Sequence, residues 1–268
     1  MISRWLVRGT IGLGLTMAVS ASATQAHEFW ISPHKGRLLP DQKLVADLKV
    51  GLALNGTPYP YLSNRFRAFN VRVRQQSAAV NGSEGDMPAL NMPSSREGLQ
   101  IVSHQTVPFR TTHKTWAGFL RFLREEGLDR YEVEHRHRGL PEHGFSERYT
   151  RYAKALVQVG TVRNDDQDDA VGMALELIAR ANPYDDTVKS LPVVLLWRGE
   201  PLANRQINIF HRQFGTVSRV PVTTDGTGRA SIPLNGKGEY LLNAVHLQSV
   251  EDASVVWHSH WATLSFKL

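Results

Sequence analysis

Three short stretches, Gly199-Glu200-Pro201, Asp225-Gly226-Thr227-Gly228 and Asn235-Gly236-Lys237-Gly238, constrain this chain more than anything else in it. Each is made of residues suited to tight turns, and each separates apolar runs too short for helices. Residues 173–179, 191–197, 205–211, 229–234, 239–248 and 255–266 therefore read as strands. Short strands so separated predict an immunoglobulin-like β-sandwich of about seven strands.

The first half has the same grammar with one interruption. Lys43 to Gly51 alternates as a strand does, and Phe66 to Arg74 alternates apolar with basic residues like a strand with one solvated face. Leu99 to Pro108 and Ala153 to Val162 follow suit, while residues 80–98 are rich in Gly, Pro, Ser and Asn and read as loop. Thr115 to Tyr131 differs. Trp116, Phe119, Leu120, Phe122 and Leu123 recur at helical spacing, Thr115 suits the N-cap and Gly127 the end. The expected fold is mainly all-β: two immunoglobulin-like or prealbumin-like β-sandwich domains over residues 27–172 and 173–268, the first carrying a helical insertion at about 115–145.

Residues 1–26 read as a secretory signal peptide. Arg4 and Arg8 form a basic start, Ile11 to Ala23 an uncharged and mostly apolar run, and small residues precede cleavage after Ala26, with Ala23 as the competing position. That run is too short to span a membrane, and no later segment is long enough, so a mature chain without a transmembrane segment is expected in the periplasm. There is no cysteine, which leaves imidazole, amine and carboxylate as metal ligands. The net charge of +6 is scattered and includes the two leader arginines, so no basic stripe suggests nucleic acid.

All eleven histidines lie beyond the leader. Cleavage after Ala26 gives His27 a free α-amino group, which forms a chelate ring with its imidazole, and Phe29, Trp30 and Ile31 are suited to anchor that terminus by packing. His258 and His260 are two apart and share a strand face, with Trp257 and Trp261 on the other, while His246 lies on the preceding strand. His104 and His113 flank the approach to the helix and are within reach of the N-terminal strand.

The stretch EHRHRGLPEH, with His135, His137 and His143 among arginines, reads as a solvated or anion-contacting loop. Glu125 and Glu126 read as a solvated face closing the helix, and Asp165, Asp166, Asp168 and Asp169 as a charged surface loop. No cysteine nucleophile, G-x-S-x-G elbow, phosphate loop or H-E-x-x-H helix is present, so no catalytic residue is assigned and the chain is not expected to be an enzyme.

His-Glu-Phe-Trp-Ile after the leader, FLREEGLDR, ERYTRYAKALVQVG, TTDGTGRA and the ending WATLSF, in that order, resemble the DUF4198 family. The resemblance implies an exported protein linked to nickel and cobalt uptake, passing its ion towards a membrane metal transporter, and it favours a histidine at 246. The expected metal ligands are His27, His246, His258, His260 and His104, for nickel or cobalt. By ligand type alone copper is favoured, and zinc is also suited. Two other readings stand beside this one: a copper-dependent oxidase holding its metal through an N-terminal histidine, as polysaccharide monooxygenases do, and a metal-free structural or adhesive module.

Overall fold

The computed structural model describes residues 28–94, 96–252 and 254–268. Among the described residues it is mostly β, with two α-helices. A ten-stranded sheet forms the middle layer, and a four-stranded sheet packs on each of its faces. The expected all-β sandwich architecture is present, and the middle sheet takes strands from both sides of residue 172.

The join between the two halves is the fifteen-residue strand Phe145–Val159, which pairs in parallel with the last strand, Trp257–Lys267, from Glu147↔Trp257 to Ala155↔Ser265. A parallel pair needs a long crossover, and here the rest of the C-terminal half supplies it. Alternation along Phe145–Val159 builds two cores at once. Ala153, Ala155 and Val157 face Phe29, Ile31, Leu44 and Leu48 of the first small sheet, while Tyr152 and Leu156 face Leu177, Leu191 and Val193 of the second. Because both faces are covered, this strand shows no solvated side. Its polar residues are instead paired inside, as with Gln158, whose amide reaches Asp166 and Asn182.

Glu28–Pro33 shows why the N-terminal sequence is aromatic. All six residues are buried, and the strand pairs antiparallel with Lys43–Leu52. It also lies against the middle sheet, whose Thr263 and Ser265 hydroxyls donate to the Phe29 and Ile31 carbonyls. Trp30 fills a pocket with Leu54, Phe210 and Leu241. The anchor expected of Phe29, Trp30 and Ile31 is therefore built.

Helix α1 (Trp116–Glu125) starts where Thr115 Oγ1 accepts the Gly118 N–H at 3.2 Å and ends at Gly127, whose φ of +65° suits glycine. Phe119, Phe122 and Leu123 bury against Val245, Leu247, Trp257 and Trp261 of the middle sheet. Each such ring removed from water contributes about 2–3 kcal/mol.

Three expectations are corrected. The charged span after α1 is not a solvated loop: Arg130–His137 forms helix α2, and His135 is fully buried, its Nδ1 accepting from Trp257 Nε1 at 3.0 Å and its Nε2 donating to the Pro141 carbonyl at 3.0 Å. His137 and His143 are exposed. Glu126 is not on a solvated face but buried at the C-cap of α1, against Asn208 and Asn243. The acidic loop is only half solvated. Asp166 and Asp168 point inward, one to Gln158 and the other to Lys154, while Asp165 and Asp169 meet Arg74 and Arg72 at the surface. Patterning also left out the strands Asn55–Tyr59, Phe109–His113 and Thr216–Thr223.

Candidate metal centre

Strand register brings three of the candidate histidines together. His246, on Glu239–Ser249, stands directly opposite His260 on Trp257–Lys267, and His258 is two residues along on the same face. Trp257 and Trp261 point the other way, into the helices. Ring centroids are 4.0 Å apart for His258 and His260 and 6.4 Å apart for His246 and His260. Trp197, ending the strand Ser190–Trp197 of the second small sheet, covers the group at 4.4 Å from His246 and 4.6 Å from His260.

The ring nitrogens are unequally satisfied. His260 Nδ1 meets the Tyr152 hydroxyl at 3.1 Å, and His258 Nε2 meets Thr150 Oγ1 at 3.0 Å. His260 Nε2 and His246 Nδ1 are buried without a hydrogen-bond partner. Burial pushes the pKa of His260 down to about 3, helped by its two histidine neighbours and Arg198. His246 and His258 fall to about 4, again chiefly by burial, with Arg205 the next cause for His246 and Arg148 for His258. All three rings are thus neutral at physiological pH, the form in which imidazole offers a lone pair to a metal. The arginines that help to keep them neutral also repel a dication, so affinity here has to come from the nitrogens. Among the described residues, no three His, Asp or Glu side chains stand close enough to share one ion. His246 and His260 are a pair of free donors, and His258 would join them only by leaving Thr150.

His104 does not belong to this group. It is buried on the opposite face of the sheet, its ring about equally close to Phe29, Phe66 and Phe69 at 5.0, 5.1 and 5.0 Å. Burial lowers its pKa to about 3. His113 stacks on Phe145 and meets Glu147 at 2.7 Å, away from the N-terminal strand. His27 lies outside the described residues. The strand that follows it packs on the face opposite the His246–His260 pair.

A family model described as "Domain of unknown function (DUF4198)" matches residues 24–248. The chain belongs to the DUF4198 family. The DUF4198 match takes in His27, His104 and His246 and ends before His258 and His260. No curated protein matches the chain. Sequence spacing found the three clustered histidines but not their surroundings, since Trp197, Tyr152 and Thr150 carry no signal of their own. They are reached only through register.

Proposed function

We propose that this member of DUF4198 is an exported protein that binds a divalent transition-metal ion, nickel or cobalt as the family resemblance implies, and assists its uptake through a membrane transporter. The observation that carries the reading is the pair of buried, unpartnered ring nitrogens on the facing residues His246 and His260. A buried polar atom left without a partner costs about 1–3 kcal/mol, and a bound ion would offset that cost twice over. Two neutral imidazoles, with a third beside them, are a donor set suited to nickel, cobalt, copper and zinc and poorly suited to calcium or magnesium. The α-amino group and imidazole of His27 are a second nitrogen set in the sequence, and the strand Glu28–Pro33 packs on the face opposite the His246–His260 pair.

Titration calorimetry with nickel, on mature protein whose first residue is verified by mass spectrometry, tests the proposal. Replacing His246 or His260 by alanine is expected to weaken binding about tenfold or more, and replacing the exposed His137 of α2 by alanine to leave it unchanged. Acetylating the α-amino group isolates the contribution of His27. Should acetylation abolish binding while His246→Ala and His260→Ala do nothing, the imidazole pair is not the site. Should nickel bind and none of these changes matter, both nitrogen sets are excluded as its site; should neither nickel nor cobalt bind, the proposed function is overturned.

pH gives an independent reading. Rings whose pKa values are about 3 and 4 stay neutral as pH falls, so binding through His246 and His260 should persist to pH 5 or so. A chelate through the α-amino group would fade below its pKa of about 8.

A further inference from the structure

The imidazole pair leaves two deficits, one of donors and one of charge. Nickel takes about four or more nitrogen and oxygen donors, and His246 and His260 offer two free nitrogens. No carboxylate of the chain makes up the number. Glu147 is engaged by Ser259 and His113, and among the described residues no aspartate or glutamate completes a set with these histidines. Building on the metal binding proposed above, we propose that this site takes its ion as a chelate with a small carboxylate, the anion filling the open positions and cancelling the charge of the dication.

The charges beside the pair suit an anion. Ile207 stands opposite Ala244 on the neighbouring strand, and two residues out along that ladder Arg205 comes alongside His246. The row across the sheet face thus runs Arg205, His246, His260, Thr150. Arg198 follows Trp197, the residue that roofs the rings, and its guanidinium lies 4.9 Å from that indole. Its charge bears on all three histidines. Among the described residues neither Arg198 nor Arg205 is paired with a carboxylate, whereas Arg148, on the far side of His258, is paired with Asp252. Arg130, the third charge bearing on His246, donates to the Tyr131 hydroxyl.

Both guanidinium groups keep donors in hand. Arg205 donates one N–H to the Asn204 carbonyl at 3.2 Å, and its Nε is buried with no partner. Arg198 is exposed and presents the face of its guanidinium to Trp197, which leaves the N–H edge for an anion. A bare dication meets these charges as repulsion. A carboxylate-bound ion meets them as attraction, since one oxygen binds the metal while the other accepts from a guanidinium. The same arginines that oppose nickel alone thereby select its chelate. His246 is half-buried and Arg198 exposed, so the anion sits on the solvent side of the ring pair.

Calorimetry on mature protein acetylated at its α-amino group, which removes the His27 chelate, tests this. Nickel is titrated alone, with malate or citrate, and with ethylenediamine, which binds it through amines and leaves it a dication. Any chelator lowers the free nickel, so a site for the bare ion weakens whenever one is added. Here malate or citrate is expected instead to tighten binding by about tenfold or more over nickel alone, and ethylenediamine to weaken it. Native mass spectrometry should find protein, nickel and carboxylate together. Arg198→Gln with Arg205→Gln should lose about tenfold or more in affinity for the chelate and bind nickel alone more tightly. His246→Ala should weaken both forms, and Arg136→Gln, exposed on α2, should change neither. Circular dichroism verifies the fold of each variant, and the chelator series in the unmutated protein stands without them. With metal binding intact, the chelate is ruled out if malate and citrate weaken nickel binding as ethylenediamine does, or if the double substitution or His246→Ala leaves the chelate's affinity unchanged. If nickel binds in none of these forms, the metal-binding reading itself fails, and the chelate with it.

Discussion

Lys154→Met is expected to lower folding stability by about 3–5 kcal/mol, seen as a reduced urea midpoint at unchanged slope. Lys154 is completely buried on the central strand, with its ammonium 3.0 Å from Asp168 and 2.8 Å from Glu176 and donating also to the Asp169 carbonyl. Both carboxylates do further work. Asp168 accepts the Ala179 N–H at 2.8 Å, and Glu176 accepts the N–H groups of Val171, Gly172 and Met173. The network thereby holds residues 168–179 down onto the central strand, across the second core. Removing the cation leaves two buried carboxylates with only main-chain N–H groups and no opposite charge to compensate them, and burial already raises the pKa of Asp168 despite the lysine beside it. A protein of this size is commonly stable by only about 5–15 kcal/mol, so the loss should be conspicuous. A loss under about 1 kcal/mol would show that the network is hydrated and relaxes freely.

The legibility of this fold in its sequence follows from which faces are wet. Phe66–Val73 is solvated on one side, and its alternation of arginine with phenylalanine and valine reads as a strand without difficulty. Phe145–Val159 is covered on both sides, and its first half, FSERYTRY, has no alternation of hydrophobicity to detect. Its charged residues are paired with groups distant in sequence: Glu147 with Ser259 and His113, Lys154 with Asp168 and Glu176. A charged residue in a sequence reports on solvent only when its partner is water. The same reason hid Glu126, Asp166, Asp168 and His135.

The candidate site divides along similar lines. That His258 and His260 share a face follows from a period of two, and the short return through residues 250–256 makes His246 a plausible neighbour in advance. Their depth did not follow. Whether a histidine pair is solvated or roofed depends on Trp197, which arrives from a different sheet by a contact that no local pattern encodes. His104 shows the opposite failure, since a histidine near the first strand in sequence logic is separated from the other three by the thickness of the sheet. A cavity beside it is assembled from strands at residues 29, 50, 59, 104–112 and 149–151, and so had no sequence signature at all.

Glu126→Gln is expected to change the direction in which stability moves with pH. Burial pushes the Glu126 carboxyl up to about 8, with the nearby Glu28 adding repulsion and Glu125 a little more, while Arg219 and the Asn208 amide oppose them. Oε2 accepts from Asn208 and Asn243, each at 3.0 Å. An acid whose folded pKa lies above its unfolded value binds its proton more tightly in the native state, so its stabilising effect is complete below the unfolded pKa of about 4.5 and is lost as pH rises towards 8. The full excursion corresponds to up to about 5 kcal/mol. Glutamine keeps the shape and cannot ionise, so the variant should gain on the wild type from pH 5 towards pH 8 and level off above it. The buried histidines run the other way. His104, His246, His258 and His260 have depressed pKa values, so their contribution is present above pH 6.5 and falls as the medium is acidified. They act equally in both proteins, and the difference between the two urea midpoints isolates Glu126. Glu28→Gln should recover part of the same gain by removing the largest repulsive neighbour. Parallel pH profiles for wild type and Glu126→Gln would mean that the carboxylate is ionised in the native state at neutral pH, held there by Arg219.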